Sequence, residues 1–169
     1  MNRSHTRDSY MRLLDRVRAA RPDIALSGDF IVGFPGERDA DFEATMSLIR
    51  EVGYAYAFSF KYSPRPGTPA ADMDHQISAQ VMDERLQILQ ARIIADQQAF
   101  NQATVGKRTT ILIEKPGRKQ GQLVGKSPWL QSVHVYADGA RIGDMIEVDI
   151  VSAGPNSLAG EIVGRKEAA

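Results

Sequence analysis

Three kinds of residue decide what chemistry this chain of 169 residues can do. Its histidines, His5, His75 and His134, are scattered. None has a serine and an acid, or a second ligand, at the spacing of a hydrolytic triad or a metal site. Each lone histidine therefore reads as structural or exposed. Cysteine is absent, which excludes disulfides, thiolate zinc sites and a cysteine-ligated iron–sulfur cluster within these residues. The third kind is glycine, in Gly28-Asp29-Phe30-Ile31-Val32-Gly33-Phe34-Pro35-Gly36-Glu37. This reads as a buried strand running into a tight loop before a helix, and such loops at the carboxyl ends of strands are where ligands bind. Gly33 and Gly36 would let a ligand approach the backbone, and Pro35 stiffens the turn. The same residues would also serve a plain turn. A nucleotide phosphate loop is excluded, because neither glycine is followed by Lys-Ser or Lys-Thr.

Charge is the other chemical resource. The net charge is zero, yet residues 104–128 hold Lys107, Arg108, Lys115, Arg118, Lys119 and Lys126 against Glu114 alone. A local excess of this kind draws polyanions even on a neutral chain, or else it is simply a solvated face. With 43% hydrophobic and 25% charged residues, the composition is that of a soluble globular protein. No apolar run has the length of a membrane span, and Met1-Asn2-Arg3-Ser4-His5 lacks a signal-peptide core, so a cytoplasmic location is expected.

The elements that must position these residues follow in order. Thr6 caps a helix with Asp8 in its first turn and Tyr10, Leu13, Leu14 and Val17 on one face, ended by Arg21-Pro22. Ile24–Val32 reads as a strand buried on both faces, with Asp29 needing a partner or a ligand. Asp39 or Asp41 caps the next helix, whose inward face is Phe42, Met46 and Ile49 and whose end is Gly53. Tyr54 to Ser63 alternates strictly, so the aromatics share one face and Ala, Ser and Lys the other. In a barrel the aromatics would pack under helices and the small set would line the interior; the alternative is an edge strand with Lys61 in solvent. Pro64, Pro66 and Pro69 stiffen the connection that follows. A long helix begins at Ser78, with Met82, Leu86, Leu89, Ile93 and Phe100 as its seam, and runs to about Ala103. Beyond it, 109–114, 122–124, 132–136, 145–151 and 158–163 read as five short strands of a small barrel or sandwich. The chain is thus α/β over 1–103 and all-β over 104–169. The α/β part has too few strands to close a barrel by itself, and its open strand edge carries an aggregation risk.

Three stretches carry a family resemblance: Asn2-Arg3-Ser4-His5-Thr6-Arg7, Gly28 to Glu37, and Tyr62-Ser63-Pro64-Arg65-Pro66-Gly67-Thr68-Pro69-Ala70. Together they resemble the C-terminal half of the radical S-adenosylmethionine methylthiotransferases, and residues 104–169 resemble the TRAM domain that ends those enzymes. Residues 125–135, around Ser127-Pro128-Trp129, look most like the tRNA-modifying branch, which adds a methylthio group to an isopentenylated adenosine beside the anticodon. They argue against the branch that modifies a ribosomal protein.

The resemblance implies the C-terminal part of a radical S-adenosylmethionine (partial TIM-like) barrel followed by a five-stranded OB-like TRAM barrel. It implies S-adenosylmethionine and [4Fe-4S] clusters as cofactors, and a tRNA anticodon stem-loop as partner. The family's Cys-x-x-x-Cys-x-x-Cys motif, and the cysteines of its N-terminal domain, would lie before Met1. The chain then reads as a fragment whose further partner is the N-terminal remainder of the enzyme, inactive by itself because radical formation needs the cluster's electron. Ile31, Gly33 and Phe34 would contact the cofactor, with Glu37 either there or capping the next helix. Lys61, Ser63 and Arg65 would face the base. Lys107, Arg108, Arg118, Lys119 and Lys126 would meet phosphates, and Trp129 would stack on a base or fill the barrel core. The other class the sequence leaves open is a non-catalytic RNA-binding protein that retains the TRAM barrel.

Overall fold

The structure, a computed structural model, describes residues 4–163, so Asn2 and Arg3 of the first motif lie outside the described residues. The chain divides into two compact units, 1–97 and 98–169.

In the first unit α1 (Arg7–Ala20) starts at Thr6, whose side chain accepts from the Ser9 backbone N–H, while the Ser9 hydroxyl accepts from that of Thr6. This reciprocal box satisfies two helix-end donors. β1 (Ser27–Val32) lies parallel to β2 (Tyr56–Lys61), with Asp29 beside Phe58 and Ile31 beside Phe60. Between them α2 (Asp39–Val52) ends at Gly53, which adopts the left-handed conformation common just past a helix. A short 3-10 turn at Pro69–Ala71 leads to α3 (Ala79–Gln102), which runs through the division between the units. Leu14, Val32, Met46, Ile49, Val52, Tyr54, Leu89 and Ile93 form the core of the first unit, with Phe30 and Ala57 packed against it. Tyr10 and Tyr54 share a hydroxyl hydrogen bond of 2.8 Å, and burial, with that bond, pushes the Tyr54 phenol well above its ordinary pKa.

Four expectations are corrected here. The first strand starts at Ser27 and not at Ile24, and it is buried on one face only. Phe30 and Val32 point into the core, whereas Asp29 is exposed and Ile31 is 39% exposed, so Asp29 meets no burial penalty. The second strand is turned the opposite way from expectation. Phe58 and Phe60 are 59% and 52% exposed and share the open face with Ile31, while Ala57 faces the core. Alternation groups residues by face, but which face is covered depends on where α1, α2 and α3 pack, and all three lie on the Phe30 side. Finally, neither Asp39 nor Asp41 is the cap of α2. Arg38 occupies that position, and Asp41 accepts from its backbone N–H at 3.0 Å and from its guanidinium.

The second unit is a closed five-stranded barrel of order β3-β4-β5-β7-β6. Its strands are β3 (Arg108–Pro116), β4 (Gln122–Lys126), β5 (Ser132–Tyr136), β6 (Met145–Ala153) and β7 (Leu158–Ile162). Ile111, Ile113, Val133, Val135, Val148, Ile150 and Leu158 fill its interior. Alternation sets this filling: Val133 and Val135 point inward, and Ser132, His134 and Tyr136 point outward. Neighbouring strands pair at four or five positions, except that β5 and β7, which run parallel, pair only at Val133 with Leu158 and His134 with Ala159.

Candidate nucleic-acid interface

The Gly-Pro loop of the first unit is held from behind. Gly33 has φ +76°, and a Cβ there would lie 2.2 Å from Met82 Cγ, so the missing side chain is required by the packing of α3. Gly36 has φ +80° with open space around it, and its N–H donates to the His75 carbonyl at 3.0 Å. Glu37 does not cap α2: its carboxylate accepts the Gly33 N–H at 3.1 Å and the Arg85 guanidinium at 2.7 Å. Arg85 also reaches Asp39 at 2.7 Å and lies over the Phe42 ring. Phe34 is half-buried edge-on against Tyr62 at 5.2 Å.

Lys61 is exposed but ion-paired to Asp83 at 2.7 Å, and Ser63 and Arg65 are exposed in the proline-rich connection. A cluster finds no ligands here. The chain has no cysteine, and no group of three His, Asp or Glu among the described residues could hold a metal ion. The open sheet face carries Ile31 beside Phe60, both exposed.

The basic residues of the second unit fall into separate places. Arg108 is bound bidentately to Asp149 at 2.8 and 3.0 Å, and this bond holds the Asp149 carboxyl below its ordinary pKa. Lys107 is exposed next to it. These two stand at the start of β3, about 25–30 Å of extended chain from its far end. Lys126 donates to the Leu130 carbonyl at 3.1 Å and to the Ser132 hydroxyl at 2.9 Å. Trp129 is half-buried in the turn between β4 and β5, its backbone N–H donating to the Ser127 hydroxyl. That turn is fixed by Gln131, whose amide reaches Asn101 and Thr104 at 2.9 and 3.0 Å.

Arg118 and Lys119 stand elsewhere, on the loop between β3 and β4. They rim a groove of about 860 Å³ together with Lys115, which carries no more sequence signal than its neighbours. Ser132 and His134 lie on its floor, and the β6–β7 turn with Asn156 closes the opposite side. No Asp or Glu among the described residues lines it. Both loops are fastened internally: the Gly117 N–H donates to Gln122 O at 2.6 Å, and the Gly154 N–H to Ser157 O at 2.7 Å. A cationic rim on loops whose backbones are fastened in this way attracts phosphate. Sequence reasoning read His134 as structural or exposed, because an outward histidine in an alternating strand carries no signal of what stands beside it.

In strand order and in the position of this groove the second unit is an OB-like barrel, the class that binds oligonucleotides between its second and third strands and the two loops that flank them. More closely, residues 102–163 match the TRAM domain, and the second unit is one. Over nearly its whole length the chain is also similar to tRNA-2-methylthio-N(6)-dimethylallyladenosine synthases. It is 65% identical to that of Sphingopyxis alaskensis over 95% of the chain, 64% to that of Novosphingobium aromaticivorans over 96%, and 59% to that of Zymomonas mobilis over 99%. The resemblance read from the three motifs therefore holds. The chain spans 36 or 37% of the length of these relatives.

Proposed function

We propose that this chain is the substrate-side part of a tRNA methylthiotransferase acting on an isopentenylated adenosine next to the anticodon, and that the TRAM unit holds the anticodon stem-loop. The observation that carries this is the groove rimmed by Lys115, Arg118 and Lys119, lined by no acid among the described residues, in a chain about 60% identical to synthases of that name. Residues 1–103 are read as the end of a radical S-adenosylmethionine barrel. There Ile31, Gly33 and Phe34 would flank the cofactor, and Lys61, Ser63 and Arg65 the base. When bound, the cofactor would supply radical chemistry that needs an electron from a cluster. With no cluster ligands in these residues, that step belongs to the N-terminal remainder of the enzyme. The reading places the protein in the cytoplasm with its tRNA. No helix among the described residues is long and apolar enough to cross a membrane.

A second reading is a non-catalytic RNA-binding protein, favoured by the absence of cysteine. Binding of an anticodon stem-loop RNA to the full chain, measured across a salt series, tests the shared core of both. Affinity should fall steeply with salt, and replacing Arg118 and Lys119 by Gln should flatten that dependence. Salt-independent binding would sink the RNA reading. Methylthiolation restored when the chain is mixed with a cysteine-bearing N-terminal part separates the enzyme from the plain binder.

A further inference from the structure

We infer that His134 reads a nucleotide base through its Nε2–H, in the groove whose rim takes the phosphate. This rests on the RNA-binding reading and names the group that would give it base recognition. His134 sits mid-strand on the outer face of β5, in register with Val124 of β4 on one side and Ala159 of β7 on the other. These three make a row across the groove floor, and the small Ala159 and the apolar Val124 leave the imidazole as its polar centre.

The ring is polarised by its surroundings. Nδ1 is buried and has no hydrogen-bond partner. A proton on Nδ1 would be a buried donor without an acceptor, which is rarer in folded proteins than a buried acceptor without a donor. The neutral ring therefore carries its proton on Nε2, the nitrogen left for the groove, and presents a donor there. No carboxylate among the described residues lines the groove to compete for that donor. The two chemistries match the two parts of a nucleotide. Lys115, Arg118 and Lys119 at the rim offer charge to the phosphate, and the floor offers one fixed donor to a carbonyl oxygen or ring nitrogen on a base edge. Phosphate contacts position a strand and base contacts specify it. The outward direction of His134 gives this groove a means of doing both.

The test uses the full chain and a fluorescent single-stranded RNA of about 12 nucleotides, within the usual site size of such barrels, beside the same RNA with abasic riboses. His134→Leu should weaken binding of the base-bearing RNA about three- to tenfold, the worth of one neutral hydrogen bond. It should leave the abasic RNA and the salt dependence unchanged. His134→Gln, which keeps an N–H near the Nε2 position, should recover most of the affinity; this recovery separates lost recognition from lost folding. Equal affinity of His134→Leu for the base-bearing RNA, or equal weakening on both RNAs, overturns the inference. If the wild-type chain binds neither RNA, the RNA-binding reading fails with it. If Arg118→Gln weakens binding and His134→Leu does not, only the role of His134 fails.

Discussion

Arg85 and Glu37, 48 positions apart in sequence, meet as an ion pair of 2.7 Å with 8% and 13% of their side chains exposed. Through the other carboxylate oxygen of Glu37 the pair extends to the backbone N–H of Gly33, so a charge on α3 fixes the shape of the Gly-Pro loop. Removing one member of a buried pair strands the other. Arg85→Leu should therefore cost about 3 kcal/mol, read as a lowered urea midpoint of the full chain. The Arg85→Leu/Glu37→Leu double variant should lose less than the two single losses added. A midpoint unmoved by Arg85→Leu would mean that the pair contributes nothing.

Gly33 and Gly36 separate two reasons for a glycine. Both have positive φ, but only Gly33 is crowded, by Met82. Gly36→Ala should cost about 1–2 kcal/mol, the left-handed penalty alone. Gly33→Ala should cost more, and Met82→Ala in that background should return part of the loss. Thermal unfolding of these three variants beside the unaltered chain measures this, and equal costs at the two glycines would argue against the crowding.

These two cases show what was legible in the sequence. Helix ends and barrel strands could be read because their signals are local: Thr6 before an apolar period, Gly53 after one, and alternation in 132–136. The orientation of β2 could not, because Phe58 and Phe60 form a coherent face whichever side the helices cover. Arg85 drew no attention in the sequence, since neither its burial nor its partners near residue 37 leave a local trace. The basic stretch was visible as a count, but its division between an ion-paired Arg108 and an open Arg118 depends on barrel closure.

Asp41 supplies a pH-dependent contact. The Arg38 guanidinium, and then the Arg38 backbone N–H, lower its pKa from 3.8 to about 2. Because the folded value lies below the ordinary one, the stabilisation is fully present above about pH 4 and is lost as pH falls through about 2. Carboxyl-carbon chemical shifts should titrate with a midpoint near 2, and Arg38→Ala should move it back toward 3.8. A midpoint already at 3.8 in the unaltered chain would contradict the contact.

Among the basic residues of the barrel, RNA affinity should respond unevenly. Arg118→Gln and Lys119→Gln should each lower the salt slope by about 1 if each meets one phosphate. Arg108→Gln should change it less, because Arg108 is already bound to Asp149. Filter binding at several salt concentrations distinguishes them, and equal effects would mean that the groove is not where the strand runs.

The barrel's closure is uneven, and this bears on how it moves. The join between β5 and β7 has two paired positions where the other joins have four or five, and one of the two is His134 with Ala159. A wall opens first where it has fewest bonds, so amide hydrogens along this join should exchange with solvent soonest within the barrel. A strand of RNA resting on Ser132 and His134 on one side and Asn156 on the other would bridge that join. Binding would then add contacts across the join that has the fewest, and amide exchange along it should slow most when RNA is bound.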